Sequence, residues 1–339
     1  MLQISGSVWV LTIGVIVGLL ALDLALAAAR PHAVRFREAV AWSVFYIAVA
    51  VVFGLVLTAW AGGEYGAQYF AGYILEKSLS VDNLFVFAVI MTAFAVPEQH
   101  QHKVLTFGIV AALIMRALFI AIGAALLNLF SFMFLLFGVL LLWTAVQLFR
   151  HRNEDPEVQD NGIVRLARRT LPLTDEYVDG KLLVRLDGRR VATPLLLVLL
   201  AIGGTDLLFA LDSIPAVFGV TQEPYLVFAA NAFALLGLRA LYFLVKGLLD
   251  RLVYLSTGLA VILAFIGAKL ILHWGHTVDN RVPEVPTWLS LAIIVVILLV
   301  ATIASVLKVR RDPEARAHAG SLHERSREAE RAARPRADA

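Results

Sequence analysis

Two short stretches carry the residues best suited to chemistry: Glu76-Lys77-Ser78-Leu79-Ser80-Val81-Asp82-Asn83 and Asp206-Leu207-Leu208-Phe209-Ala210-Leu211-Asp212-Ser213. Each reads as an acid, five residues, an aspartate, then an amide or a hydroxyl. Such oxygens are ligands for a hard divalent cation such as Mg²⁺, Ca²⁺ or Mn²⁺. The chain has no cysteine, which removes thiolate ligation, disulfides and thiol redox chemistry. Any metal must therefore bind oxygen or imidazole.

Both motifs lie inside apolar runs. Sixty per cent of the 339 residues are hydrophobic and 16% are charged, far from the mix of a soluble domain. Apolar stretches of about 20 residues, enough to cross the hydrocarbon layer, recur over 7–29, 39–61, 69–95, 104–127, 129–149, 194–220, 225–246, 252–274 and 287–307. Backbone amides in lipid must be satisfied within the segment, and no strand-like alternation is present. The sequence thus predicts an all-α polytopic membrane protein with nine transmembrane helices. The first run has no small-residue cleavage site behind it and is read as a helix rather than a signal peptide.

Basic residues set the expected orientation. Arg30, Arg35, Arg37, Lys103, the arginines and lysine of 150–192, Lys246 and Arg251 fall on alternate connections, which the positive-inside rule places in the cytoplasm. The N-terminus is expected outside and the C-terminus inside. Lys308, Arg310 and Arg311 open a charged tail that is expected to be disordered and to meet anionic lipid rather than nucleic acid. The 151–192 loop is expected to form a small amphipathic or β element.

The motifs belong to an internal repeat. Met115-Arg116-Ala117-Leu118-Phe119 in the fourth span matches Leu238-Arg239-Ala240-Leu241-Tyr242 in the seventh, and Ala145-Val146-Gln147-Leu148 aligns more weakly with Gly267-Ala268-Lys269-Leu270. Spans three to five and six to eight form two copies, and an odd number of helices in each inverts the second relative to the first. The predicted divisions are 1–66, two helices; 67–150, the first repeat; 151–192, the loop; 193–274, the second repeat; 275–310, the ninth helix; and 311–339, the tail.

An ionised aspartate at mid-membrane costs roughly 2.5–3.5 kcal/mol on insertion scales. Arg116 and Arg239 are expected to offset two of the four acids, leaving a charge that one divalent cation would neutralise. Residues six apart lie about 120° round a helix. Asp82 and Asp212 can then share an ion only if the repeats cross or a helix breaks, and Gly203, Gly204 and Pro215 mark a possible kink. The competing reading is that the acids merely pair with Arg116, Arg239 or Lys77 to fix packing. Asn231 faces the site if it shares a face with Arg239; an interhelical hydrogen bond is the plainer role. Asp23 reads as an interface residue or a partner of Arg30. His100, His102, His273 and His276 read as solvated loop residues.

At these motifs, and at Asn231-Ala-Phe-Ala-Leu-Leu-Gly-Leu-Arg239-Ala-Leu-Tyr-Phe, Gly18 to Leu24 and Val96 to Lys103, the sequence resembles the TerC family, which includes the Alx-type membrane proteins. The resemblance covers roughly residues 15 to 310. It implies an inner-membrane Mn²⁺ exporter, historically labelled for tellurium resistance, with a fold related to LysE-type transporters. It also implies that Glu76, Asp82, Asn83, Asp206, Asp212 and Ser213 form the ion site. Gly203-Gly204 departs from the family, which often has an acid just before the second motif.

The expectation is secondary export of Mn²⁺, with protons as the exchanged ion and no cofactor. The alternative is a non-transporting membrane scaffold that binds a cation for structure. No phosphate-binding loop, HExxH or nucleophile elbow is present, so the chain is not expected to be an enzyme.

Overall fold

The structure is a computed structural model that describes residues 4–29, 36–150, 162–174, 177–178, 180–186, 189–245 and 253–311. Residues 312–339 of the expected tail, Arg30, Arg35, Lys246 and Arg251 lie outside the described residues, whereas Lys308, Arg310 and Arg311, expected to open that tail, form the last turn of α11. The described chain is nearly all helical: α1 Gly6–Ala29, α2 Phe36–Ala61, α3 Gly63–Ala93, α4 Glu98–Leu129, α5 Met133–Arg150, α6 Gly162–Thr170, α7 Pro194–Phe218, α8 Pro224–Leu235, α9 Leu238–Val245, α10 Leu255–Val278 and α11 Thr287–Arg311. Between α6 and α7 a hairpin pairs β1 Leu183–Leu186 with β2 Arg189–Ala192. Prolines at the first turns of α7 and α8 suit a position whose N–H has no helical acceptor.

Seven helices, α1, α2, α4, α5, α7, α10 and α11, are long and apolar enough to cross a membrane, and the bent pair α8–α9 makes eight. The ninth expected span is α3. It runs for 31 residues, but Glu64, Glu76, Lys77 and Asp82 put three charges in every 18-residue stretch of it. What makes α3 chemically interesting is what removes it from an apolarity count.

The break expected near Gly203, Gly204 and Pro215 is absent, because α7 runs through all three. Pro215 lies one turn from the C-terminus, where one lost helical bond is tolerated. The break falls instead between α8 and α9, which meet at 43°. Gly237 takes φ +73°, a conformation that suits glycine, and a Cβ there would lie 2.5 Å from the Tyr46 ring. Lys77 Nζ donates to Ala234 O at 3.0 Å and is 3.5 Å from Leu236 O. An ammonium from α3 thus satisfies carbonyls that the end of α8 would otherwise leave bare in an apolar setting.

Helix packing is reciprocal. α3 packs mainly on α8 and α4 mainly on α7, while α5 and α10 form the most extensive pair in the bundle. At that crossing a Cβ on Gly138 would lie 2.6 Å from Ile271 Cγ1 and 2.8 Å from Gly267 O. Such close approach is the packing mode of membrane helices, which have no hydrophobic force to join them. Gly138→Val is expected to cost about 1–3 kcal/mol by overpacking, read as a lower melting midpoint in detergent; an unchanged midpoint would contradict the crossing.

Candidate cation site

The first motif sits on α3 and the second on α7, two helices in contact. They place the four acids in two settings. Glu76 and Asp206 gather round Arg116 of α4. Arg116 donates through Nη1 to Glu76 Oε2, and its Nη2 is 3.8 Å from Asp206 Oδ1. Asn83 turns its amide oxygen to Arg116 Nη2 at 2.9 Å and donates to Leu79 O at 3.1 Å. All four side chains are buried. Glu76 Oε1 and Asp206 Oδ2 find no donor among the described residues.

Asp82 and Asp212 stand apart from that cluster and line one cavity of about 540 Å³ with Asn83, Ser213, Thr144 and Gln147. Thr144 of α5 has its hydroxyl 2.9 Å from Asp212 Oδ1, and Ser256 of α10 has its own 3.4 Å from Asp82 Oδ1. Asp212 of α7 therefore meets a hydroxyl from α5, and Asp82 of α3 meets one from α10. Among the described residues no three Asp, Glu or His side chains converge as a metal cage. The chemistry on offer is two carboxylates with neutral oxygens around them, Asn83 serving both settings.

The sequence expectation of one six-residue constellation is thereby divided. Asp82, Asn83, Asp212 and Ser213 share the cavity, whereas Glu76 and Asp206 share Arg116. Among the described residues Arg239 pairs with Asp23 and not with a motif acid, which corrects its expected role as a counter-charge. Its Nη2 donates to Asp23 at Oδ1, 2.9 Å, and at the backbone O, 3.0 Å. The α8–α9 break redirects α9 towards α1 and α2, so one arginine serves both motifs. The same break interrupts the face that Asn231 and Arg239 would share. Asn231 is buried on α8 with neither amide atom bonded among the described residues.

Thr144 and Ser256 carry no motif and Gln147 lies only in the weak third correspondence, so their types alone could not have marked them. Loss of such an outer partner typically costs about 10–100-fold in metal affinity. With a divalent cation such as Mn²⁺ as the probe, Thr144→Val is expected to weaken any binding in this cavity about tenfold by calorimetry, and an unaltered affinity would remove Thr144 from the site.

A second cavity, about 840 Å³, lies where the α2–α3, α7–α8 and α10–α11 connections meet, lined among others by Glu64, Glu223, Lys269, His273 and Glu284. His273 is not merely solvated: Nδ1 is 2.5 Å from Glu284 Oε1 and Nε2 is 2.8 Å from Gln222 Nε2. His276 Nδ1 lies 2.7 Å from Val282 O. α10 lines both cavities, with Leu259 and Leu263 at the first and Lys269 and His273 at the second. Six residues from Leu263 to Lys269 span about 9 Å, and Ile266 packs there with Ile214 and Phe218 of α7.

At the other end, the described residues between α5 and α7 dock onto the α3–α4 turn. Tyr177 donates to Phe94 O at 2.7 Å, and burial pushes its phenol up to about 12, so it remains a donor at neutral pH. His100, expected in solvent, is buried and lies against the Tyr177 ring. His102 packs on Phe243 at 4.6 Å.

Residues 61–313 match the model of the integral membrane protein TerC family. The chain belongs to the TerC family. An uncharacterized membrane protein of Mycobacterium tuberculosis is 48% identical over 321 residues, 90% of this chain and 80% of its own. An uncharacterized membrane protein of Myxococcus xanthus is 40% identical over 315 residues, 93% of this chain and 97% of its own. The thylakoid membrane protein TERC of Arabidopsis thaliana is 44% identical over 228 residues, 67% of this chain and 59% of its own. No solved structure matches. The TerC match spans α3 to α11 and so contains both motifs, Arg116 and the cavity.

Proposed function

We propose that this TerC protein is a secondary transporter that exports a divalent cation, Mn²⁺, across the inner membrane in exchange for protons. One observation carries the reading: Asp82 and Asp212, one from each copy of the motif, face a common cavity. Two carboxylates there match the charge of one divalent ion, and the surrounding oxygens suit a hard cation. Mn²⁺ is preferred among such ions on the family resemblance, since the ligand types alone do not separate it from Ca²⁺ or Mg²⁺.

In this reading α3 is the ninth membrane crossing, the N-terminus faces out and the C-terminus faces in. α3–α5 and α7–α10 are inverted repeats. The reciprocal packing of α3 on α8, α4 on α7 and α5 on α10 supports that relation, as do the crossed hydroxyl contacts to Asp82 and Asp212. Transport then consists of one repeat rocking against the other about the shared site. The cytoplasmic ion binds the deprotonated aspartates, and protons replace it on the outer side, through the cavity lined by Glu64, Glu223 and Glu284.

Purified protein in liposomes tests the proposal. Saturable Mn²⁺ flux, accelerated by an opposing proton gradient, is expected. Mn²⁺ binding without flux would overturn export and favour the scaffold reading, and competition by Ca²⁺ measures selectivity.

A further inference from the structure

The module formed by α6 and the β1–β2 hairpin lies outside both cavities and has a surface that the transport reading does not use. We propose that this module is a docking surface for the anionic phosphate headgroups of the bilayer in which the bundle sits. The inference is independent of what the bundle transports.

Position comes first. α7 begins at Pro194, two residues after β2 ends at Ala192, and α7 is a membrane-crossing helix. α5, another crossing helix, ends at Arg150 and α6 begins at Gly162. Val164 and Ala167 are buried, Val164 in the core cluster that includes Leu195 and Val198 of α7. The module is therefore held at the end of the bundle, level with the bilayer surface.

Its outer faces mix leucine and arginine. On α6, Leu166 is 62% exposed, and Arg169 follows three residues later on the same side, also exposed. On β1, Leu183 is 53% exposed, and Arg185 two residues on points to the same side. An apolar side chain beside a guanidinium is the pattern of segments that lie in the headgroup layer. Residues 162–192 hold seven basic against four acidic residues, the sign that anionic lipid attracts.

The hairpin supplies an independent pointer to an anion. Its register sets Arg185 directly opposite Arg190, and both are exposed. Like charges directly opposed across a ladder are destabilising. A phosphate between the two guanidinium groups converts that repulsion into a pair of charge-assisted hydrogen bonds.

Because the chain has no cysteine, a single introduced one can be labelled alone. The full-length protein carrying Leu166→Cys or Leu183→Cys, with a nitroxide attached, is reconstituted in phosphatidylcholine vesicles with or without phosphatidylglycerol. In anionic vesicles both labels are expected to be shielded from a water-soluble relaxant and open to oxygen, and high salt should reverse this by screening. Each arginine at a membrane surface is worth about fivefold in an equilibrium constant, so Arg185→Gln with Arg190→Gln should lower the ratio of docked to undocked module about 25-fold. Equal exposure in both vesicle types, or shielding indifferent to salt, would overturn the proposal without recourse to any arginine variant. Shielding produced in neutral vesicles by inorganic phosphate alone would overturn a lipid surface in favour of a free-phosphate site.

Discussion

Asp82→Asn and Asp212→Asn are each expected to reduce Mn²⁺ affinity by at least about 100-fold, the upper end of what loss of an outer-shell partner costs a metal site. Both substitutions keep the shape of the side chain and remove its charge. Since Asp82 and Asp212 line one cavity, the two losses should not add: flux already abolished by one change leaves little for the second. Cells expressing either variant should accumulate Mn²⁺ and tolerate it less than cells with the native protein. If each variant retained half of the binding and the double variant lost the rest, the two aspartates would belong to separate sites.

Arg116→Met should be the most damaging change to the fold. Arg116 is fully buried between Glu76 and Asp206, and its removal leaves two carboxylates facing each other without a cation. Breaking a buried pair from one side costs on the order of 3–5 kcal/mol, a large share of the stability of a typical domain. The variant is expected to lose its folded, monodisperse peak in detergent, and adding Glu76→Gln should restore part of it. Arg239→Met should be milder, because both Arg239 and Asp23 keep some exposure and can reach the interface. A fully stable Arg116→Met would mean that the acids have other partners.

These two predictions trace what could be read from the residues and what could not. The membrane helices were legible from apolar runs, and their ends fall within a few residues of the expected ones for α1, α2 and α5. The motif acids were legible because an acid in such a run costs too much to be idle. The sharing of Arg116 was not. Repeat logic gives the second motif Arg239 as its own arginine, but the turn at Leu236 and Gly237 redirects α9, and Leu235-Leu236-Gly237-Leu238 reads as continuous apolar chain. Gly203, Gly204 and Pro215 looked like better breakers, yet Pro215 comes late enough in α7 to forfeit only one terminal bond. Thr144 and Ser256 were invisible for another reason. A helical threonine also bonds its own backbone, as Thr144 does to Leu140 O at 3.1 Å, and only the fold brings Asp212 of α7 beside it.

The division of the acids also sharpens the charge argument. With Arg239 committed to Asp23, the motifs hold four carboxylates and one arginine, and Glu76 and Asp206 already occupy that arginine. Glu76, Asp206 and Arg116 together keep one net negative charge, and in the proposed reading Asp82 and Asp212 supply the cation's counter-charge, so the cavity between α3, α5, α7 and α10 is where the ion is expected. An anomalous-scattering map from crystals grown with Mn²⁺ tests this most directly. The account predicts one strong peak in that cavity, within about 2–2.6 Å of a carboxylate oxygen from each of Asp82 and Asp212. A peak beside Glu76 and Asp206 instead, or no peak in the cavity at saturating Mn²⁺, would contradict it.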